Sequence, residues 1–177
     1  MSDVRQVLVM SFSRIGDATI STCVADPLRR RFPGALITFF VGARAAALIE
    51  PEVDALLVHE RKRHSGLGGK LRLVRELRQI QPDVVVDLRD AAYSRLLGAR
   101  RIPLRDRTRR HAAHRYLDAL SRVDIPTDGA RPRLRISDAE RTAARHWLQA
   151  KGMLDEAVPL LAIHPGGDWF YKRWGED

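Results

Sequence analysis

The sequence predicts an α/β protein in which helices cover both faces of a parallel β-sheet. Short apolar runs alternate with segments of helical periodicity through the first 125 residues, a pattern typical of repeated strand–helix units. Three consecutive valines at 84–86 leave no polar position between them, which indicates a strand buried on both faces. Both observations favour a parallel sheet, which is buried on both faces, over an antiparallel sheet with one solvent-exposed face.

Five apolar runs are predicted as strands: 7–12, one within 33–42, 53–59, 82–90 and 100–104. Apolar residues at helical spacing predict one helix that starts at residue 17 and four further helices at 43–50, 70–80, 91–99 and 114–123. Pro27 lies inside the first helical segment and should bend or shorten it. The glycine-rich segment 61–69 is predicted as a flexible basic loop.

The chain is predicted to change character after residue 125. Residues 126–157 are interpreted as a linker with a short strand at 133–137 and a helix that Ser137 opens and Gly152 ends. Trp147, at helical spacing in this segment, is expected in a core. The apolar run at 158–164 is predicted as the first strand of a new α/β unit, so the domain boundaries are 1–125, 126–157 and 158–177.

Composition narrows the class of protein. The single cysteine, Cys23, excludes an intramolecular disulfide, and no apolar stretch approaches the roughly 20 residues of a membrane span. The first residues lack a signal-peptide pattern. Cytoplasmic residence is therefore the expectation.

The positive charge is concentrated in one segment. The formal net charge is +9 with few lysines, and the segment 100–115 carries seven arginines against one aspartate. Such a focused patch attracts polyanions, which include nucleic acid, anionic lipid and phosphorylated sugars. Nucleic acid is the weakest of these, because no helix-turn-helix, zinc finger or RNA-recognition motif is present.

The first turn, in "SFSRIGDATIS", is the most informative stretch. Parallel sheets bind ligands at the carboxyl ends of their strands, and Gly16 and Asp17 follow the first strand there. The turn lacks the glycine pattern of a dinucleotide site. Asp17 has two interpretations: it caps the helix, or its carboxylate, favoured by the helix dipole, accepts a proton from a substrate hydroxyl.

These motifs resemble those of the family 9 glycosyltransferases, the heptosyltransferases of lipopolysaccharide core assembly. The resemblance rests on the turn formed by Ser13, Gly16 and Asp17, on "RRRFPG" and "PDVVVDLRD", and on the later "HPGGDWFYKRW". It implies the N-terminal half of a GT-B enzyme, with a Rossmann-like acceptor-side domain at 1–125 and a donor-binding domain that begins at 158–177.

The resemblance also implies roles for individual residues. Asp17 corresponds to the proposed general base, and the acceptor-binding turn comprises Ser13, Arg14 and Gly16. Contacts to the donor diphosphate are assigned to His164, Gly166, Gly167 and Lys172. Transfer is expected to invert the sugar and to need no metal or other cofactor, and the sequence contains no Asp-x-Asp motif.

The implied partners are ADP-heptose as donor and an anionic lipopolysaccharide inner core as acceptor, with peripheral contact at the cytoplasmic face of the inner membrane. Family members are about twice this length, so we expect the 177 residues to hold the acceptor half and only the start of the donor half. The isolated chain is then expected to be inactive. The alternative is a non-catalytic module that binds an anionic glycolipid or nucleic acid through segment 100–115.

Overall fold

The computed structural model describes residues 4–106, 108–154 and 158–166, which form two compact units divided after Arg135. The first unit contains a five-stranded, all-parallel sheet with the order β3-β2-β1-β4-β5. Its strands are β1 Gln6–Met10, β2 Leu36–Gly42, β3 Ala55–His59, β4 Val84–Asp87 and β5 Arg100–Pro103. The fold class predicted from the sequence is confirmed.

Helices cover both faces of this sheet. The α-helices of the first unit are α1 Ile15–Ser21, α2 Ala25–Arg31, α3 Ala43–Ile49, α4 Gly66–Gln79 and α5 Ala112–Ser121. Short 3₁₀ helices span Thr22–Val24, Glu50–Glu52 and Ala92–Leu97. Every described helix is too short or too polar to span a bilayer.

Alternating side chains of β1, the central strand, pack into two separate cores, one on each face of the sheet. Val7 and Val9 pack in the larger core with residues of α1, α2, α3 and α5. Leu8 and Met10 point to the other face, where Leu73 and Leu77 of α4 pack with residues of the 3₁₀ helix Ala92–Leu97. Period-two alternation in β1 therefore places one layer of helices on each face.

Pro27 interrupts the first helical segment, as predicted. The segment divides into α1 and α2 with a 3₁₀ turn between them, and Pro27 falls in the first turn of α2. Proline has no backbone N–H, but the N–H groups in the first turn of every helix lack partners within the helix. Pro27 therefore removes no hydrogen bond from α2.

The prediction of a flexible loop at 61–69 is wrong in its second half. Helix α4 begins at Gly66, and the His64 side chain is buried, with Nε2 at 3.0 Å from Oε2 of Glu76. A Cβ on Gly69 would lie only 2.6 Å from the carbonyl carbon of His64. Because Gly69 has no side chain, the loop that contains His64 can lie close to α4. The contact between Glu76 and His64 holds the loop in that place.

The second unit contains helix α6, Asp138–Ala150, which begins after Ser137 as predicted, and the structure shows that Ser137 and Glu140 form a capping box there. None of its residues is buried, and Trp147, expected in a core, is 58% exposed. No strand forms at 133–137 or 158–164. Both segments lack a described strand to pair with, and a strand without a partner cannot satisfy its backbone hydrogen bonds.

The division after Arg135 falls within the segment predicted as a linker. Its first part is held on the first unit, because Thr22 exchanges hydrogen bonds with the backbone of Arg133 and the Arg133 guanidinium lies 2.9 Å from Asp26. These contacts explain why the compact unit extends past residue 125.

Gly42 provides a stability test at the end of β2. An added Cβ would lie 2.5 Å from Cβ of Ser13, so we expect Gly42→Ala to lower the free energy of unfolding by roughly 1–3 kcal/mol through overpacking. Gly16→Ala is the matched control, since nothing lies within 4 Å of its added methyl group. It should be neutral or stabilising by up to about 1 kcal/mol. Urea unfolding of both variants is the measurement, and equal losses would contradict the close-approach argument.

Candidate active site at the switch point of the sheet

An open pocket of about 450 Å³ lies at the carboxyl edge of the sheet. Strands β1 and β4 are neighbours there, although the chain forms β2 and β3 between them on the other side. This reversal of strand order is a topological switch point, where open parallel sheets bind their ligands. The lining comes from the segments that follow three strands and from α1 and α5: Phe12, Asp17, Leu88, Arg89, Asp90, Leu104, Asp106, Ala112, Arg115 and Tyr116.

Asp17 lies in the first turn of α1 and lines this pocket. Of the two interpretations of Asp17, the one that makes it the N-cap does not hold, because Arg14 is the N-cap residue, and the Arg14 side chain makes no capping hydrogen bond. In the described part of the chain, no group donates a hydrogen bond to the Asp17 carboxylate or forms an ion pair with it. A negative charge is favourable in a first turn, and this one is available to a ligand.

An aromatic wall stands beside Asp17. The rings of Phe12 and Tyr116 stack with their centroids 5.6 Å apart, and Tyr116 is only 3% exposed. Burial, followed by the nearby Asp17 and Cys23, raises the pKa of Tyr116 to about 12. The phenol therefore stays protonated and presents an apolar ring with one hydroxyl.

The raised pKa of Tyr116 predicts how stability depends on alkaline pH. In the unfolded chain this phenol has the ordinary tyrosine pKa of 10.0, whereas in the folded chain its pKa is about 12, so the unfolded state loses its proton first as pH rises. The contribution to stability is complete below about pH 10 and disappears as pH rises toward about 12. Tyr116→Phe should remove it while keeping the ring stack. Tyrosinate absorbance with and without this substitution should isolate one transition near pH 12, and a transition near pH 10 would contradict the prediction.

A buried carboxylate, Asp87, organises the loop that follows β4. Its oxygens accept hydrogen bonds from the backbone N–H groups of Arg89 and Ala91 and from Oγ of Ser94 at 2.6 Å. The guanidinium of Arg101 lies 2.9 Å from Asp87 and 2.7 Å from Asp90. The loop is thus held from several directions at once, which fixes the backbone of Arg89 and Asp90 at the pocket.

Among the described residues, two cationic side chains line the pocket, Arg89 and Arg115. Arg115 donates from Nε and Nη2 to the backbone oxygen of Asp106 at 3.0 and 2.7 Å, and it forms no ion pair with a carboxylate of the described residues. Nη1 of Arg89 is buried without a hydrogen-bond partner in the described part of the chain. Sequence reasoning missed Arg89, and the available signal was its position directly after the doubly buried strand.

The predicted acceptor turn forms the exposed side of this region. Ser13, Arg14 and Gly16 are exposed between β1 and the start of α1, but the pocket lining contains Phe12 and Asp17 rather than these three. The open space around Gly16 leaves its backbone accessible to a ligand.

The predicted donor contacts lie in the second unit or outside the described residues. His164 and Gly166 are exposed, and a Cβ on Gly166 would lie 3.4 Å from Cε1 of His164. Gly167 and Lys172 lie outside the described residues. Within the described ranges, no group of three or more ligating side chains could hold a metal ion.

The basic segment 100–115 is divided by the fold. Arg100 begins β5 at the amino edge of the sheet, opposite the pocket, while Arg101 is paired with Asp87 and Asp90. Arg110 lies 2.6 Å from Asp118. Of the described arginines in the segment, Arg115 is the one that lines the pocket, so these described arginines do not form one continuous patch.

The parallel sheet and the pocket at its switch point define an α/β protein of the Rossmann-like class. The sequence matches none of the known protein-family models, and the curated proteins contain no match.

Solved structures give the comparison for the fold. The family 9 glycosyltransferase from Veillonella parvula DSM 2008 is similar over 99% of this chain and 58% of its own, with a TM-score of 0.82 and 22% identity. E. coli heptosyltransferase WaaC, solved with ADP-2-deoxy-2-fluoro heptose, matches 81% of this chain and 54% of its own, at TM-score 0.47 and 15% identity.

The chain spans less than two thirds of the length of both solved structures. Its fold is that of part of a family 9 glycosyltransferase. The fold that the sequence resemblance implied is therefore confirmed.

Proposed function

We propose that this chain is the acceptor-side part of an inverting glycosyltransferase of the heptosyltransferase type. The observation that carries the proposal is the carboxylate of Asp17, which lies in an open pocket at the switch point of the sheet and has no hydrogen-bond or ion-pair partner among the described residues. The likeness to a family 9 glycosyltransferase supports the class of reaction. The donor is proposed to be ADP-heptose and the acceptor an anionic lipopolysaccharide inner core.

Asp17 acts as the general base in this proposal. An acceptor hydroxyl lies against the carboxylate and gives up its proton while its oxygen attacks the anomeric carbon. The new C–O bond forms on the face opposite the bond to the departing diphosphate, so the sugar inverts. Because an aspartate is a weak base, positioning of the acceptor contributes much of the rate.

The cations of the pocket fit an anionic acceptor. Among the described residues, Arg115 has no carboxylate ion-pair partner, and Arg89 has a buried N–H group without a hydrogen-bond partner. Guanidinium groups match phosphate and carboxylate geometry. Ser13, Arg14 and Gly16 are proposed to contact the exposed end of the acceptor.

The donor side belongs to the second unit in this proposal. Departure of the nucleoside diphosphate requires oriented donors and cations at its developing charge. His164, Gly166, Gly167 and Lys172 are proposed to contribute some of these contacts. Transfer is then expected only where a complete donor-binding domain faces the pocket.

Calorimetry of the 177-residue chain with a phosphorylated inner-core oligosaccharide tests the acceptor site. We expect binding that weakens steeply with added salt, because the contacts are ionic, and neither ADP-heptose binding nor turnover. Arg115→Gln should weaken binding about tenfold or more, as loss of one charge-assisted contact implies. Arg109→Gln, exposed and outside the pocket lining, is the matched control.

Three outcomes would count against this proposal. Tight ADP-heptose binding by the chain alone would contradict the proposal that its second unit supplies only some of the donor contacts. Absence of acceptor binding at low salt would contradict the acceptor site. Equal losses in Arg115→Gln and Arg109→Gln would indicate general electrostatic attraction, which fits the alternative of a binding module.

A further inference from the structure

A groove of about 410 Å³ lies on the first unit, away from the candidate active site. One wall comes from the 3₁₀ helix Glu50–Glu52, which leads into β3 and therefore lies at the amino edge of the sheet, whereas the active-site pocket lies at the carboxyl edge. The other wall comes from the segment that follows α5. The residues that line this Glu52 groove are Glu52, Arg131, Arg133, Leu134 and Arg135.

A buried carboxylate without a partner lines the groove. Glu52 is only 5% exposed, and its Oε1 atom is buried without a hydrogen-bond partner in the described part of the chain. The nearby guanidinium of Arg29 donates to the backbone oxygen of Glu52 at 2.8 Å and lies 3.1 Å from Asp54, so it does not pair with the Glu52 carboxylate. A buried carboxylate oxygen without a donor is costly. This atom therefore indicates a ligand that brings a hydrogen-bond donor.

The arginines of the groove differ in what they contact. The guanidinium of Arg133 lies 2.9 Å from Asp26, and its backbone exchanges hydrogen bonds with Thr22. Arg131 and Arg135 are exposed, and neither forms a hydrogen bond or an ion pair among the described residues. The groove thus combines two unpaired positive charges with one unpaired carboxylate.

We propose that the Glu52 groove binds a small phosphate ester that carries a primary amine. The ammonium group donates to Glu52, and the phosphate oxygens accept from Arg131 and Arg135. A phosphate monoester carries nearly two negative charges at neutral pH, and guanidinium groups match its oxygens. The charges of ligand and groove then balance. A phosphate alone would leave Glu52 without a donor, and an amine alone would meet two arginines of like charge.

The groove is fixed on both sides before any ligand enters. Arg29 holds the backbone of Glu52, and Thr22 holds that of Arg133. None of the residues proposed to contact the acceptor or the donor lines this groove. The inference therefore goes beyond the proposed function and does not depend on it.

Calorimetry of the full chain with soluble probes tests the proposal. We expect phosphoethanolamine to bind at least about tenfold more tightly than ethyl phosphate, which lacks the amine, and ethanolamine to show no binding. Phosphoethanolamine should also raise the melting temperature, because a ligand that binds only the folded state stabilises it. Glycerophosphoethanolamine distinguishes the sources of this chemistry. Tighter binding of the monoester points to a free aminoalkyl phosphate, and tighter binding of the diester points to a head group; both results support the site.

Glu52→Gln tests the amine contact. It should weaken phosphoethanolamine binding about tenfold or more, because the amide lacks the charge that attracts the ammonium group. Ethyl phosphate should bind as tightly as before, or slightly more tightly, since a negative charge has left the groove. Glu50→Gln is the matched control, because Glu50 belongs to the same 3₁₀ helix but is exposed and outside the lining. It should change binding of either probe by less than about twofold.

Arg131→Gln/Arg135→Gln tests the phosphate contact and stays informative if Glu52→Gln fails to fold, because both arginines are exposed. It should weaken both phosphate probes about tenfold or more. Arg44→Gln/Arg95→Gln removes two exposed arginines outside the lining and is the control for net charge. The proposal is overturned if phosphoethanolamine binds no better than ethyl phosphate, if Glu52→Gln weakens both probes equally, or if the two arginine pairs have the same effect.

Discussion

Asp17→Asn is expected to lower the rate of sugar transfer by about 10²–10⁴-fold, the usual contribution of a general base. The amide keeps the size of the side chain and its place in the first turn of α1, but it cannot accept the proton of the acceptor hydroxyl. Affinity for the acceptor should change little, because the arginines of the pocket remain. Turnover is measured in a protein that carries both this pocket and a complete donor-binding domain.

Two further measurements give this prediction its control. The melting temperature of Asp17→Asn should change little, because loss of the first-turn charge costs only about 0.3–1 kcal/mol and the carboxylate makes no hydrogen bond or ion pair within the described residues. Asp26→Asn, which alters a first-turn carboxylate of α2 outside the pocket, should leave turnover intact. Near-normal turnover of Asp17→Asn would show that this carboxylate contributes only to helix α1.

Asp87→Ala is expected to lower the free energy of unfolding by about 3–5 kcal/mol, the cost of breaking a buried charged network. The substitution leaves two backbone N–H groups, the Ser94 hydroxyl and much of Arg101 without their acceptor. The loop after β4 would lose its organisation with them. Urea unfolding measures the effect, and acceptor binding should weaken in parallel because Arg89 belongs to that loop.

Asp90→Asn is the matched control for Asp87→Ala, because both carboxylates accept a hydrogen bond from Nη2 of Arg101. Its side chain is 37% exposed, whereas that of Asp87 is fully buried. Solvent screens the exposed pair, so the loss should stay below about 1 kcal/mol. If both variants lost similar stability, the burial of Asp87 would not be the reason for its importance.

The local features of the fold were predictable because neighbouring residues decide them. The three valines at 84–86 are fully or almost fully buried in β4, and Pro27 ends up where a helix begins. Ser137 forms the capping box that opens α6. Each depends on backbone geometry or side-chain periodicity within a few residues, which the sequence displays directly.

The candidate site was predictable in part. The sequence placed Asp17 at the carboxyl end of the first strand, because parallel sheets bind ligands there, and the structure places it in the pocket. The opposite walls, with Arg89 and Tyr116, come from residues far along the chain. Their role depends on which strands are neighbours.

The sequence by itself determined the parallel α/β architecture, its strands and the edge at which Asp17 lies. The tertiary structure alone decided that β4 pairs with β1 rather than with β3. That pairing creates the switch point, brings Asp87 and Arg101 together and divides the arginines of segment 100–115 between the two edges of the sheet. Hydrophobic periodicity indicates which side chains are buried. A buried strand has the same pattern whether it pairs with β1 or with β3, so the pattern does not give the strand order. The choice rests on long-range packing and ion pairing that no local pattern contains.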